Sequence, residues 1–429
     1  MLIIKNGNIV NPGGEFEGIG DIYINEKTIE KIIPNNTDAD ETTKERYLDA
    51  KVIDASNLTV MPGLIDVHSH FRDPGFEYKE DILSGAESAV AGGYTTVVLM
   101  CNTKPTVDNA DTLLYVLNKG QQTQIKVESC GAVTKGLKGE ELTDFDNLVS
   151  NGAVGFTDDG IPLMNEELLR KAFKKAKNYP ISLHEEDKTF IKENGINHGA
   201  ASEYYKIYGS PREAEISLIE RDLKIAIEEN GLVNVQHIST EEGVELVRRA
   251  KAQSDRVHAE ATPQHIALTQ DAVIKYGTLG KLNPPFREER DRKAIIEGLR
   301  DKTIDIIATD HAPHSKEEKQ KTITEAPSGI IGLETAFAIV NTVLVKEEGM
   351  DISEVVEKLT INPAKLYGFD RGVLKEGGSA DIAIANLDEK WTVGNFRSKA
   401  SNSPFVGCEL TGKIKMTVCD GRIVYTDTE

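Results

Sequence analysis

Four cysteines in 429 residues, at positions 101, 130, 408 and 419, are too few and too scattered for a disulfide framework, and none stands in a Cys-x-x-Cys pair. Reduced thiols and a cytoplasmic location are expected. No stretch approaches the ~20 consecutive apolar residues that cross a bilayer. The opening Met1-Leu2-Ile3-Ile4-Lys5-Asn6-Gly7 also turns polar too soon for a secretory apolar region. No membrane partner is expected. A surplus of cations is missing too: 50 Lys and Arg face 70 Asp and Glu, a formal net charge of -20. With no basic stripe interleaved with aromatics, this balance argues against nucleic acid as a partner. It leaves a small anionic ligand open, because local cations and metals outweigh net charge within a site.

What is present suits a folded enzyme. Hydrophobic residues make up 39% and charged residues 28%, enough for a sizeable core under a wet surface. The length fits a barrel of about 250 residues plus an accessory module. Residues 1–58 alternate short apolar runs with turn chemistry: Leu2 to Ile4, then Asn11-Pro12-Gly13-Gly14, then Ile22 to Ile24 and Ile29 to Ile33. The polar stretch Asn35 to Arg46 reads as a surface loop. Residues 371–429 repeat the β character in Asp381 to Ala385, Ile414 to Val418 and Arg422 to Tyr425. The two ends are expected to fold together as a small β-sandwich domain around a central unit, 59–370.

Within 59–370, strand-like runs alternate with helical patterns, the signature of a parallel βαβ sheet. Eight strands are predicted: Leu64 to Phe71, Thr95 to Met100, Lys126 to Ala132, Ala153 to Thr157, Ile181 to His184, Val233 to Ile238, Val257 to Thr262, and Ile304 to Thr309. Eight favours an α/β (β/α)8 TIM barrel. Helices are predicted over Asn165 to Lys177 and Pro211 to Glu229, the second capped by Ser210 with Pro211 in its first turn.

A (β/α)8 barrel places its active residues at the carboxyl ends of its strands. His68, His70, Asp159, His184, His237 and Asp310 all sit at or just past such ends. In Leu64-Ile65-Asp66-Val67-His68-Ser69-His70 the two histidines are spaced so that a strand points both to one face. A lone histidine is more often a core or surface residue than a ligand. The constellation, however, matches nitrogen and oxygen ligation of zinc. Asp158-Asp159-Gly160 alone would read as an ordinary turn. His198, His258 and His265 have no place in the pattern and are expected to be structural or dispensable.

The segments Asp66-Val67-His68-Ser69-His70-Phe71-Arg72-Asp73-Pro74-Gly75 and Ala308-Thr309-Asp310-His311-Ala312-Pro313-His314 resemble the dihydroorotase family of the amidohydrolase superfamily. Matching pieces follow in Cys101-Asn102-Thr103, Phe156-Thr157-Asp158-Asp159-Gly160 and Leu282-Asn283-Pro284-Pro285, so the likeness spans nearly the whole chain. Many superfamily members bridge two metals with a carboxylated lysine on the fourth strand; Ala153-Val154-Gly155-Phe156-Thr157 offers none. The resemblance is therefore to the class that bridges through aspartate, with Asp159 as bridge and Asp158 as the alternative.

That resemblance implies two zinc ions per chain, held by His68, His70, Asp159, His184, His237 and Asp310, with Asp310 doubling as general base and then acid. It implies substrate contacts at His70, Arg72, Asn102, Asn283 and His314, with Ser328 and Gly329 contributing through the backbone. The planar fork of Arg72 suits a carboxylate, although a surface salt bridge is the plain alternative. Asn283-Pro284-Pro285 reads equally well as a turn. The polar stretch Ser315 to Ala326 reads as a lid or as a solvated charge run. Three positions depart from the family pattern: Glu185 where a cysteine is common, Gln264 where a second histidine is common, and Ser328 where phenylalanine is common. The last bears on specificity rather than catalysis.

Three functional readings follow. The leading one is a zinc-dependent dihydroorotase that interconverts N-carbamoyl-L-aspartate and L-dihydroorotate in de novo pyrimidine synthesis. A cyclic amidase acting on hydantoin or allantoin is the alternative enzyme, and such relatives usually carry the bridging lysine and lack an Arg72-type anchor. The third is a silent homologue that scaffolds aspartate carbamoyltransferase, which would be expected to lose ligands. A homodimer is expected from base rates.

Overall fold

In the computed structural model, which describes residues 1–37 and 39–427, eight parallel strands surround a central axis. The first is Leu64–Ser69 and the second Tyr94–Leu99. The third is broken at Cys130 into Lys126–Ser129 and Gly131–Ala132. The rest are Phe156–Thr157, Ile181–Leu183, Val233–Val235, Val257–Ala261 and Ile306–Ile307. Each pairs in parallel with its neighbour in chain order, the first half of the third strand with the second strand and the other half with the fourth. The ring closes where Ser69 bridges His311 in parallel and the Thr309 amide donates to the Asp66 carboxylate at 2.8 Å. Both faces of most of these strands are buried, so the polar residues within them, Asp66, Asn234 and Glu260 among them, are held by hydrogen bonds.

All eight predicted strands are present, several of them shorter than predicted. The sixth ladder stops at Val235 and the eighth at Ile307, short of His237 and Asp310, and both of those residues take positive φ, 31° and 46°. Arg72, just past the first strand, has φ 61°. Non-glycine residues rarely occupy this region, and strain of this kind concentrates where a fold must aim a side chain. Leaving the ladder is what turns these three residues toward the barrel mouth.

The predicted helices form over Glu166–Ala176, capped by the Asn165 side chain, and Glu213–Glu228. Ser210 is not the cap of the second. Its hydroxyl donates instead to Glu186 at 3.3 Å, and the helix begins after Arg212 with no side-chain cap.

Both chain ends build one eight-stranded sheet, in which Leu2–Ile9 pairs with Lys51–Asp54 along its first half and with Thr59–Pro62 along its second. Thr59–Pro62 in turn pairs antiparallel with Ile382–Ala385, which joins the N-terminal strands to Ile382–Thr392, Glu409–Cys419 and Arg422–Thr426. Ile4, Ile22, Val60, Ile382 and Val418 are buried on one side of this sheet, and Ile3, Tyr23 and Tyr47 on the other. The stretch expected to be a surface loop contains a short helix, Glu41–Arg46. Asp40 caps it by accepting from the Thr43 amide, and Thr43 is buried while Tyr47 packs edge-on against Tyr23. Its polar exposed face hides the signal, because Ala39, Thr43 and Tyr47 offer no run of apolar residues. No helix among the described residues is long and apolar enough to cross a membrane.

Candidate metal centre

Six side chains converge at the carboxyl ends of the strands. His68, His70 and Asp310 form one set, and His68, Asp159 and His237 an overlapping set. The ligand atoms of each set lie within 4.8 Å of one another, and every member is buried. Asp310 Oδ1 is 3.1 Å from His70 Nε2 and 3.5 Å from His68 Nε2. Asp159 Oδ1 lies 3.4 Å from His68 Nε2 and 3.9 Å from His237 Nε2, while its Oδ2 lies 3.4 Å from His70 Nε2. His184 joins through Nδ1, 2.9 Å from His237 Nε2.

The outer nitrogens of three imidazoles are each held by another residue. His68 Nδ1 bonds Glu260 at 2.5 Å, His70 Nδ1 bonds the Asn102 carbonyl oxygen at 3.0 Å, and His184 Nε2 bonds Glu186 at 3.1 Å. Each such acceptor fixes the proton on the outer nitrogen and leaves a lone pair facing inward, the arrangement a metal-ligating histidine needs. His68 Nε2 is buried with no hydrogen-bond partner. The charge balance points the same way. Asp159, Asp310, Glu186 and Glu260 are buried carboxylates, and Arg72 is the cation among the predicted contacts. Burial opposes the ionisation of each of these carboxylates, a cost that a cation held among them would offset. An anionic nitrogen and oxygen donor set with an orphaned inward nitrogen fits a divalent cation such as zinc.

Of the adjacent acids, only Asp159 joins the cluster. Asp158 turns back to accept from the Val133 amide at 2.8 Å, the Thr134 amide at 3.0 Å and the Thr134 hydroxyl. Burial pushes its carboxyl up to about 6.

The predicted substrate residues flank this cluster. The Arg72 Nε donates to the Pro313 carbonyl at 3.2 Å, and its terminal nitrogens have no protein partner among the described residues. Asn283 Oδ1 is buried and unpartnered, an acceptor waiting for a donor. Asn102 is already engaged: it holds His70 and donates to Asp159 Oδ2 at 3.0 Å. His314 Nε2 bonds the Ser328 carbonyl at 2.9 Å, and Lys79 Nζ sits 3.4 Å from its Nδ1. Burial, then the nearby Arg72, Lys79 and Lys319 charges, push His314 far below its ordinary range, so the ring is neutral.

The stretch 315–326 starts with a Ser315-capped helix, Lys316–Lys319. Lys281 Nζ donates to the Ile323 and Ala326 carbonyls at 2.7 Å each, and Lys319 Nζ donates to Pro327 and Gly329 at 3.0 and 3.1 Å. The two buried ammonium groups pin this stretch against the Ser328–Gly329 backbone.

The residues missed from the sequence are those that hold the ligands: Glu260, Glu186 and Asn102 in its holding role. Glu260 had one available signal, an acid between Ala259 and Ala261 in the strand Val257–Ala261, fully buried. His258 bonds Asp305, and His265 bonds Thr262 and the Pro284 carbonyl; both serve structure.

Residues 59–424 match the amidohydrolase family, and the chain belongs to that family. Across essentially its whole length it is similar to two clostridial dihydroorotases. The one from Clostridium acetobutylicum is 47% identical over 100% of both chains. The one from Clostridioides difficile is 48% identical over 99% of this chain and 100% of the relative. Among solved structures, the L-hydantoinase from Arthrobacter aurescens superposes with TM-score 0.87 at 27% identity, covering 100% of this chain and 96% of that one. The D-hydantoinase from Thermus sp. shares the fold, with TM-score 0.84 at 21% identity over 100% of this chain and 96% of that one.

Proposed function

We infer that the chain is a dihydroorotase, a hydrolase of cyclic amides that interconverts N-carbamoyl-L-aspartate and L-dihydroorotate in pyrimidine biosynthesis. The observation that carries this reading is full-length similarity at 47 and 48% identity to dihydroorotases. The arginine beside the cluster supports it, because dihydroorotate is a cyclic amide bearing a carboxylate and hydantoin has none.

His68, His70, Asp159, His184, His237 and Asp310 would hold two zinc ions, with Asp159 shared between them. When bound, such a pair polarises the amide carbonyl and lowers the pKa of the attacking water. Asp310 has one oxygen, Oδ1, turned to His70 and His68, and its other oxygen has no protein partner among the described residues. That free oxygen takes the proton as water adds to the ring carbonyl carbon, then returns it to the ring nitrogen as the carbon–nitrogen bond breaks. In the direction of ring closure the same oxygen runs the steps backwards.

The free terminal nitrogens of Arg72 bind the substrate carboxylate as a two-pronged donor. Asn283 Oδ1 accepts a ring N–H, and the Ser328 and Gly329 backbone with His314 closes the far side. Asn102 and His70 line the near side. Four unpaired cysteines support a reducing compartment, the cytoplasm. A homodimer and an association with aspartate carbamoyltransferase complete the proposal, and sedimentation with and without the transferase tests both.

The test is ring opening of L-dihydroorotate by purified, zinc-loaded protein, followed by loss of absorbance, with hydantoin and allantoin alongside and a chelated control. Chelator-sensitive turnover of dihydroorotate alone supports the reading. Turnover of hydantoin in its place rejects it.

A further inference from the structure

The wall that faces the substrate carboxylate is tied together by a residue from outside the barrel. The connection between Ile382–Thr392 and Glu409–Cys419 leaves the end sheet and runs to the barrel mouth. Val393 and Phe405 anchor it against Ala338 and Ile339 of the helix Leu333–Val340. Two acids grip it: the half-buried Glu334 accepts from the Arg397 and Ser398 amides, and the buried Glu80 accepts from the Ser398 hydroxyl and the Lys399 amide. Asn402 sits at the end of this grip, 3% exposed.

Every polar atom of Asn402 that faces the barrel is spent on the two loops that carry the substrate contacts. Its Nδ2 donates to the Ala312 carbonyl at 3.0 Å and the Gly329 carbonyl at 2.9 Å. Its Oδ1 accepts from the His314 amide at 3.1 Å, and its own carbonyl accepts from the Ile331 amide at 3.1 Å. The two loops meet each other through His314 Nε2 and the Ser328 carbonyl, and Arg72 leans on Pro313 between Ala312 and His314. The Ala312 amide also donates to the Ile330 carbonyl at 2.9 Å, in a parallel bridge at the base of the two loops. Beyond that bridge, one carboxamide spans the loop that supports Arg72 and the loop that presents Ser328 and Gly329.

We propose that Asn402 is the positioning residue for the substrate's carboxylate, acting through the 312–314 and 328–329 backbones. The proposal rests on the dihydroorotase reading. Only asparagine fits the three bonds: aspartate has the shape but no donors, and it would aim a charged oxygen at two carbonyls.

The experiment compares N402D and N402A with the parent in the zinc-loaded, full-length protein, reading KM, kcat, zinc content and the dissociation constant for orotate by calorimetry. The expected result for N402D is a KM for dihydroorotate and an orotate dissociation constant both raised at least ~30-fold, with kcat within about threefold and zinc content unchanged. N402A, which loses the bonds without adding charge, falls between N402D and the parent. An unchanged KM in both variants overturns the proposal. So does a fall in kcat and zinc content in step with KM, which marks a structural role only. If N402D does not fold, N402A carries the same readings. A parent protein that fails to open dihydroorotate refutes the dihydroorotase reading itself, a distinct outcome.

Discussion

Replacing Glu260 tests whether the cluster is built around a metal. Glu260 is fully buried, with Oε1 on His68 Nδ1 at 2.5 Å and Oε2 accepting from Asn234 Nδ2 at 3.0 Å. Glu260→Gln is nearly isosteric. It keeps an oxygen on His68 only if its new NH2 faces the Asn234 amide, and Asn234 Oδ1 has no partner, so a flip of that side chain relieves the clash. What remains is the exchange of a charge-assisted bond for a neutral one, which about halves its strength. Glu260→Leu removes the acceptor altogether, freeing the His68 proton to settle on Nε2, the atom that faces the two aspartates. Loss of such supporting partners costs roughly 10- to 100-fold in metal affinity, about 1.4 to 2.8 kcal/mol. The glutamine variant belongs at the lower end and the leucine variant at the upper. Competition with a chromophoric zinc chelator measures both, and urea unfolding of the metal-free proteins provides the control. Metal-free stability falls as well in the leucine variant, because His68 Nδ1 and Asn234 Nδ2 keep their places and lose a buried acceptor, so the unfolding control separates that loss from the loss of metal affinity. A leucine variant that binds zinc as tightly as the parent refutes the reasoning.

Other outcomes follow from the same geometry. Asp310→Asn should lower kcat by at least ~100-fold, since the free carboxylate oxygen moves the proton; near-normal turnover in stopped-flow assays rejects that role. Arg72→Met should raise KM for dihydroorotate at least ~30-fold and leave zinc content intact by elemental analysis, and a demetallated variant would mean Arg72 supports the metals instead. Burial, then the neighbouring His237, lowers His265 from its ordinary 6.5 to about 4. The unfolded chain then binds this proton at higher pH than the folded one. Stability is therefore whole above 6.5 and falls by ~3 kcal/mol as pH drops to 4. His265→Gln should remove that share of the acid loss in urea unfolding at pH 7 and 4.5; an identical pH profile in variant and parent refutes the assignment.

Much of the site was legible because its residues obey local rules. His68 and His70 share a strand face by a period of two, and single ligands sit where apolar runs end, so the barrel and the cluster could be read together. The position of the barrel's second strand was equally local, since Tyr94–Leu99 is rich in β-branched and aromatic residues. The helix Glu41–Arg46 was not legible, because the residues that flank it, Ala39 and Tyr47, pack against Ile3 and Tyr23 of two separate strands.

The amino-acid sequence by itself determined the class of donors, the alternation that makes a barrel, and the absence of a fourth-strand lysine. The tertiary structure decided what depends on residues far apart in the chain. Asp158 and Asp159 are indistinguishable as letters; the Val133 and Thr134 amides, supplied by a neighbouring strand's loop, take one and leave the other to the histidines. Glu260 reaches His68 across 192 positions and Asn402 reaches Ala312 across 90. Hydrogen bonds of that kind leave no periodicity, because they are set by where chain segments meet in space rather than by the geometry of any one strand or helix.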